Sequence, residues 1–144
     1  MSFGGNAMLT VDSGTKYLQN CGAKITSSRV AILKLLENRL DHPTAEQIFL
    51  ELKPAYPTLS IATVYSTTQL LAKGSMLRIL SIDEKKVYYD PEMNPHGHFL
   101  CKRCKKLFDV RTVCDIMSSF IPSDGISSVE DAEVFYYGHC SKCV

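Results

Sequence analysis

The sequence predicts an α+β chain in two parts, the first helical and the second rich in strands. Three observations predict it: four segments of helical periodicity between residues 13 and 74, a strand, turn and strand pattern over 76–90, and a shift after 91–95 to alternating text bracketed by two C-x-x-C pairs. With 144 residues, 45% of them apolar, the chain has the length for one average domain or two small ones.

"SGTKYLQNCG" (13–22) reads as a short helix stopped by Gly22. "TSSRVAILKLLENRL" (26–40) sets Val30, Leu33, Leu36 and Leu40 at helical spacing behind Thr26. In "HPTAEQIFLELKP" (42–54), Thr44 is an N-cap with Gln47 three residues on, a capping box, and Ile48, Phe49 and Leu52 form the apolar face before Pro54. "PTLSIATVYSTTQLLAKG" (57–74) offers Ser60 as N-cap and Gly74 as terminator, with Ile61, Val64, Thr68 and Leu71 on one face. Its other face carries Ala62, Ser66, Gln69 and Lys73 with Thr63 beside them, which is small and hydrogen-bonding rather than strongly charged. "MLRILSI", the turn "DEKK" and "VYYD" (76–90) read as a hairpin. Three helices, a fourth with a polar outer face and a hairpin describe a winged helix-turn-helix.

"PEMNP" is a polar link bounded by prolines, so the expected organisation is a domain over 1–90, a hinge over 91–95 and a second domain over 96–144. In the second, "HGHFLC", "KKLFDV" and "DAEVFYYGHC" read as strands and "TVCDIMSSFI" (112–121) as a helix. Charge does not choose a partner: residues 1–90 carry 10 basic and 8 acidic groups, and 91–144 carry 6 and 7. Charged residues interrupt every apolar run before the ~18 residues of a membrane span. The opening "MSFGGNAM" lacks a charged n-region and an apolar core, so a cytoplasmic protein is expected.

Four of the six cysteines fall as Cys101, Cys104 and Cys140, Cys143, in the spacing C-x2-C-x35-C-x2-C. A two-residue turn brings two sulfurs to one ion and two such turns complete a tetrahedral shell, so structural zinc is the expected occupant. A redox pair, or reduced core cysteines, would not account for two matched pairs. Cys21 and Cys114 each lie in or at the end of a helix without a partner and read as small apolar residues.

The histidines are His42, His96, His98 and His139. His96 and His98 are two apart, so on a strand they leave the same face, whereas Cys101 lies an odd step from His98 and leaves the other. Asp90 and Asp109 are acidic residues in apolar text at strand ends, placed to approach that histidine face, and His42 can join them. Three imidazoles and two carboxylates form a harder set than thiolates, suited to Fe(II) or Mn(II) with a coordination position left open. Ordinary surface or core imidazoles remain the alternative on pattern alone, and His139 reads as structural. Zinc hydrolase or deaminase chemistry needs a Glu beside a ligand His, as in H-x-E, where this chain has Gly97-His98. No enzyme is expected.

"HPTAEQIF" (42–49), "SIATVY" (60–65), "VYYD" (87–90), "HGHFLCKRC" (96–104), Phe108-Asp109 and "YGHCSKC" (137–143) together resemble the ferric uptake regulator (Fur) family of metal-dependent repressors, particularly its peroxide-sensing, PerR-like branch. The resemblance runs from about residue 15 onward and implies a winged-helix DNA-binding domain, a small α/β dimerisation domain, and a homodimer on a palindromic double-stranded operator. It implies structural Zn(2+) on the four cysteines and regulatory Fe(2+) or Mn(2+) on His42, Asp90, His96, His98 and Asp109. Peroxide sensors of the family carry Asp at the position of Asp109, and in them iron-bound peroxide oxidises a ligand histidine, here His42 or His96. Pro95 and Gly97 stand where iron sensors often carry extra ligands, which favours the same branch. The implied DNA contacts are Ser60, Thr63, Tyr65, Ser66 and Gln69 on the fourth helix, with Lys16, Lys24 and Arg29 on phosphates. "STT" (66–68) replaces the Arg or Asn of many relatives, so the operator sequence does not transfer.

Overall fold

Every helix of the first half begins at a hydroxyl. In the computed structural model, which describes residues 8–111, 120–121 and 123–144, helices α1 (Val11–Asn20), α2 (Ser27–Leu36), α3 (Ala45–Leu52) and α4 (Ile61–Lys73) are capped by Thr10, Thr26, Thr44 and Ser60. Each cap oxygen accepts from the backbone N–H three residues on, which answers one of the donors left open at a helix start. The capping box at Thr44 and Gln47 is present, and Thr10 with Ser13 makes another that starts α1 two residues earlier than predicted.

The helix ends differ more from expectation. Gly22 takes a left-handed φ of 76° after α1, but α2 stops at Leu36, and Asn38 (φ 58°) turns the chain away. Leu40 continues the apolar period only on paper and is 57% exposed. After α4 the left-handed residue is Ser75 (φ 55°) and not Gly74 (φ −86°). Gly74 is needed for space, since a Cβ there would lie 2.4 Å from Cζ of Tyr17.

The core of this half joins Leu18, Ile32, Leu33, Leu36, Ile48, Val64 and Leu71 with Tyr89, all at most 1% exposed. Burying each aliphatic side chain contributes about 1.5–3 kcal/mol. α4 turns Val64, Thr67, Thr68 and Leu71 inward; Thr68 is accommodated because its hydroxyl donates to the Val64 carbonyl at 2.9 Å. Ile61, predicted on that face, is exposed: it opens the helix one turn before the packed residues. Strands β1 (Arg78–Asp83) and β2 (Lys86–Asp90) form the antiparallel wing, Ile79 opposite Tyr89 and Leu80 opposite Tyr88. β2 is sewn to the start of α3 by an antiparallel bridge between Thr44 and Tyr88 and by Tyr89 N donating to Pro43 O at 2.9 Å.

The chain divides into two units, Met1–Met93 and Asn94–Val144, a division inside the 91–95 stretch. The second unit is built on strands β3 (Gly97–Cys101), β4 (Leu107–Val110) and β5 (Phe135–Gly138) in the order β4-β3-β5. β4 runs antiparallel to β3 and β5 parallel to it. β5 is shorter than the predicted 131–140 segment. Residues 112–119 of the predicted helix, Cys114 among them, lie outside the described residues. No described helix is long and apolar enough to cross a membrane.

Candidate metal centres

Because β3 and β5 are parallel, their C-terminal ends lie side by side, with Cys101 opposite Gly138. Cys101 ends β3, Cys104 follows on a turn closed by Lys105 N to Cys101 O at 2.9 Å with Lys105 at φ 61°, and Cys140 and Cys143 form the matching turn just past β5. One sulfur from each of the four lies within 4.8 Å of all the others. The Cys104 and Cys140 sulfurs are 3.8 Å apart. Thiolates about 2.3 Å from a zinc at the corners of a tetrahedron lie about 3.8 Å apart, whereas a disulfide would need about 2.05 Å. The cluster therefore has the dimensions of a closed zinc shell, and all four cysteines are free thiols.

Cys101 is fully buried, and backbone N–H groups of Cys104 and Cys140 hold its pKa down at about 5; the latter donates at 3.4 Å. Cys143 is pushed up to about 12, first by its hydrogen bond with Cys140. One thiolate is thus prepared by the fold, and a cation would supply the charge to deprotonate the others.

Each unit also carries histidine beside carboxylate. In the first, His42 precedes the Thr44 cap with a left-handed φ of 53° and is 3% exposed. Its Nε2 lies 3.4 Å from Oδ2 of Asp90, the buried last residue of β2, whose Oδ1 accepts from Glu92 N at 2.9 Å. In the second, strand pairing sets His98 directly across from Asp109. His98 and His96 bring Nε2 to 3.5 and 3.2 Å from the same oxygen, Asp109 Oδ1, and their ring centroids are 4.4 Å apart. His96 Nδ1 donates to the Asn94 carbonyl at 2.7 Å, and a carbonyl can only accept, so the bond leaves the Nε2 lone pair aimed at the cluster. Both groups present imidazole nitrogen and carboxylate oxygen, and no sulfur, which is a donor set for a divalent ion such as Fe(II) or Mn(II).

The profile of the ferric uptake regulator family matches residues 20–125. The chain belongs to the ferric uptake regulator family. It is therefore a metal-responsive transcription regulator, with a winged-helix domain followed by the family's dimerisation domain. It is 33% identical over 132 residues to the ferric uptake regulation protein of Campylobacter upsaliensis, covering 89% of this chain and 85% of that one. To the peroxide-responsive repressor PerR of Staphylococcus aureus it is 27% identical over 134 residues, 88% and 86% of the two chains. Among solved structures, the Francisella tularensis ferric uptake regulator with iron matches at a TM-score of 0.65 and 26% identity, over 85% of this chain and 95% of that one.

In this Fur-family chain, the residues expected on DNA divide by what their polar atoms already do. Ser60 and Thr63 spend their hydroxyls on the α4 cap, 3.0 Å from each other, and Ser66 donates to Thr63 O at 3.2 Å. Gln69 is exposed on the same helix. Tyr65 keeps an exposed ring edge, but its hydroxyl donates at 2.9 Å to Oε1 of Glu46 in the first turn of α3. That bond raises the phenol pKa and helps lower the carboxyl's, which backbone N–H donation depresses first. Lys16 is paired with Asp12 at 3.1 Å, and Arg29 donates to the Lys24 carbonyl at 3.0 Å.

Glu46 carried no signal in the sequence, because its partner is 19 residues away on another helix. Lys53 is a second such residue: its ammonium donates to the carbonyls of Pro57 and Leu59 at 2.7 and 2.9 Å, tying the turn that delivers α4.

Proposed function

We propose that the protein is a homodimeric, metal-dependent repressor on a palindromic operator, and that it senses peroxide through iron-catalysed oxidation of a ligand histidine. The structural ion is Zn(2+) on Cys101, Cys104, Cys140 and Cys143. The regulatory ion, Fe(2+) or Mn(2+), is held jointly by His42 and Asp90 of the first unit and His96, His98 and Asp109 of the second. The observation that carries this reading is the convergence of His96 Nε2 and His98 Nε2 on one oxygen of Asp109. That cluster has the donors of a redox-active divalent ion and the aspartate associated with the peroxide branch.

Ferrous iron, if held by His42, Asp90, His96, His98 and Asp109, would supply the reduction of peroxide in which one oxygen goes to an imidazole and the other leaves as water. The chain's own groups decide what that change does. His42 is buried against Asp90, and His96 has its Nδ1 fixed by Asn94 O, so neither ring can turn away from the site without breaking a contact. Ligands drawn from both units couple metal binding to the arrangement in which the two copies of α4 meet successive major grooves, and losing one ligand removes that coupling. Operator gel shifts with Mn(II), and with Fe(II) before and after peroxide, test the scheme. Binding should appear with either metal and be lost only for the peroxide-treated iron form; equal affinity in all three rules it out.

An iron-sensing repressor is the second reading, supported by the 33% identity to the Campylobacter protein against 27% to the Staphylococcus one. Peptide mass spectrometry after aerobic exposure to iron separates the two. A gain of one oxygen on the His42 or His96 peptide supports peroxide sensing, and its absence supports iron sensing.

A further inference from the structure

His42, at φ 53°, holds a left-handed backbone conformation that a side chain with a Cβ adopts only at a cost. Such a residue stays in place when its neighbours over-determine it. On its C-terminal side they are the Pro43 carbonyl and Thr44, both bonded to β2. On its N-terminal side the holder is Arg39. The guanidinium bonds Asp41 through two nitrogens, Nε to Oδ1 and an Nη to Oδ2 at 3.0 Å, and bonds Glu51 on α3 through two more contacts at 2.7 and 3.0 Å. Two fork-like pairs on one planar cation fix both directions of the loop, a geometry lysine cannot reproduce. The arginine side chain is 24% exposed, so the clasp is partly sheltered from water. Asp41 is covalently joined to His42, so whatever fixes Asp41 against α3 also fixes the point from which the imidazole leaves the chain.

We infer that Arg39 is a positioning residue for the regulatory metal: by clasping Asp41 to Glu51 it holds the 39–43 loop in the one shape that aims His42 toward Asp90. This rests on the proposed role of His42 as a ligand. Arg39 touches no ligand atom itself, and it acts through the backbone.

The test uses zinc-loaded full-length protein, titrated with Mn(II) and followed by the electron paramagnetic resonance of free Mn(II), with zinc content measured in parallel. Arg39→Ala should weaken Mn(II) binding about tenfold, the low end for residues that orient metal ligands, with zinc per chain unchanged. Arg39→Lys should fall between it and the wild type, and amide exchange at Leu40, Asp41 and His42 should quicken in the Mn-free Arg39→Ala protein. His42→Ala should lose more affinity than Arg39→Ala. If Arg39→Ala does not fold, Asp41→Asn and Glu51→Gln each keep half of the clasp and should each weaken Mn(II) binding, by less than the roughly tenfold expected for losing the whole clasp. Wild-type Mn(II) affinity in all the clasp variants, with His42→Ala weakened, would overturn the role of Arg39 alone. Wild-type affinity in His42→Ala would overturn the metal site and the inference with it.

Discussion

Thr44 joins three features: the cap of α3, the bridge to β2, and the residue after Pro43 in the His42 loop. Its side chain does two separable things. The hydroxyl accepts from Gln47 N at 3.2 Å, and the methyl is buried in a residue only 4% exposed. The cap is worth about 1 kcal/mol and a buried methyl about 0.8 kcal/mol, so Thr44→Ala should cost about 2 kcal/mol. The reciprocal bond, Thr44 N donating to Gln47 Oε1 at 2.9 Å, uses backbone and survives every substitution but proline. Thr44→Ser retains the hydroxyl and should cost about 0.8 kcal/mol. Thr44→Val retains the volume but orphans Gln47 N, and should cost about 1 kcal/mol. Urea titrations followed by circular dichroism, with m unchanged across the series, measure all three. A valine variant as stable as the wild type would show that the cap contributes nothing and would refute the separation.

Three other outcomes are expected. Cys140→Ser should abolish stoichiometric zinc and leave the second unit open to proteolysis, since removing one sulfur from a closed shell removes much of the binding energy that orders such a lobe; full zinc retention would contradict the site. Arg39 holds the Asp41 and Glu51 carboxyls below their usual range, so the clasp contributes stability above about pH 4 and loses it as pH falls through the depressed values. With Asp41 64% and Glu51 48% exposed, that contribution is about 1 kcal/mol. Arg39→Gln should trail the wild type by that margin at pH 7 and draw level near pH 2 in urea titrations; a gap independent of pH would exclude the mechanism. Gly74→Ala should destabilise by about 1–3 kcal/mol by overpacking against the Tyr17 ring, and pairing it with Tyr17→Leu should recover part of the loss; equal melting temperatures for wild type and Gly74→Ala would refute the steric reading.

What was legible in the sequence was local. The caps at Thr26, Thr44 and Ser60 rest on spacings of three residues, and the cysteine pairs on turns of two. Alternation alone separated the His98 side of β3 from the Cys101 side. What escaped was either a continuation or a distance. Leu40 keeps the helical period past the point where Asn38 has already turned the chain, and Gly74 drew the terminator role that Ser75 takes in the backbone. The Tyr65 bond to Glu46 and the Arg39 clasp on Glu51 span 19 and 12 residues, and each depends on how α3 packs beside α4 or the preceding loop. No periodicity encodes such a meeting. The parallel pairing of β5 with β3 was likewise invisible, because its register follows from the whole segment between them.

That parallel pairing also fixes an order of events in time. An antiparallel β5 would place Cys140 at the opposite end of β3 from Cys101, so the two cysteine turns meet only once the later strand has crossed back and aligned. Closing a loop of this kind over the 35 residues between Cys104 and Cys140 costs about 3 kcal/mol in chain entropy. During synthesis the first unit can therefore finish folding while the lobe of the second is still an open hairpin. The lobe can offer all four sulfurs to an ion only after Cys143 has been made and β5 has aligned on β3, so zinc acquisition follows that strand pairing rather than preceding it.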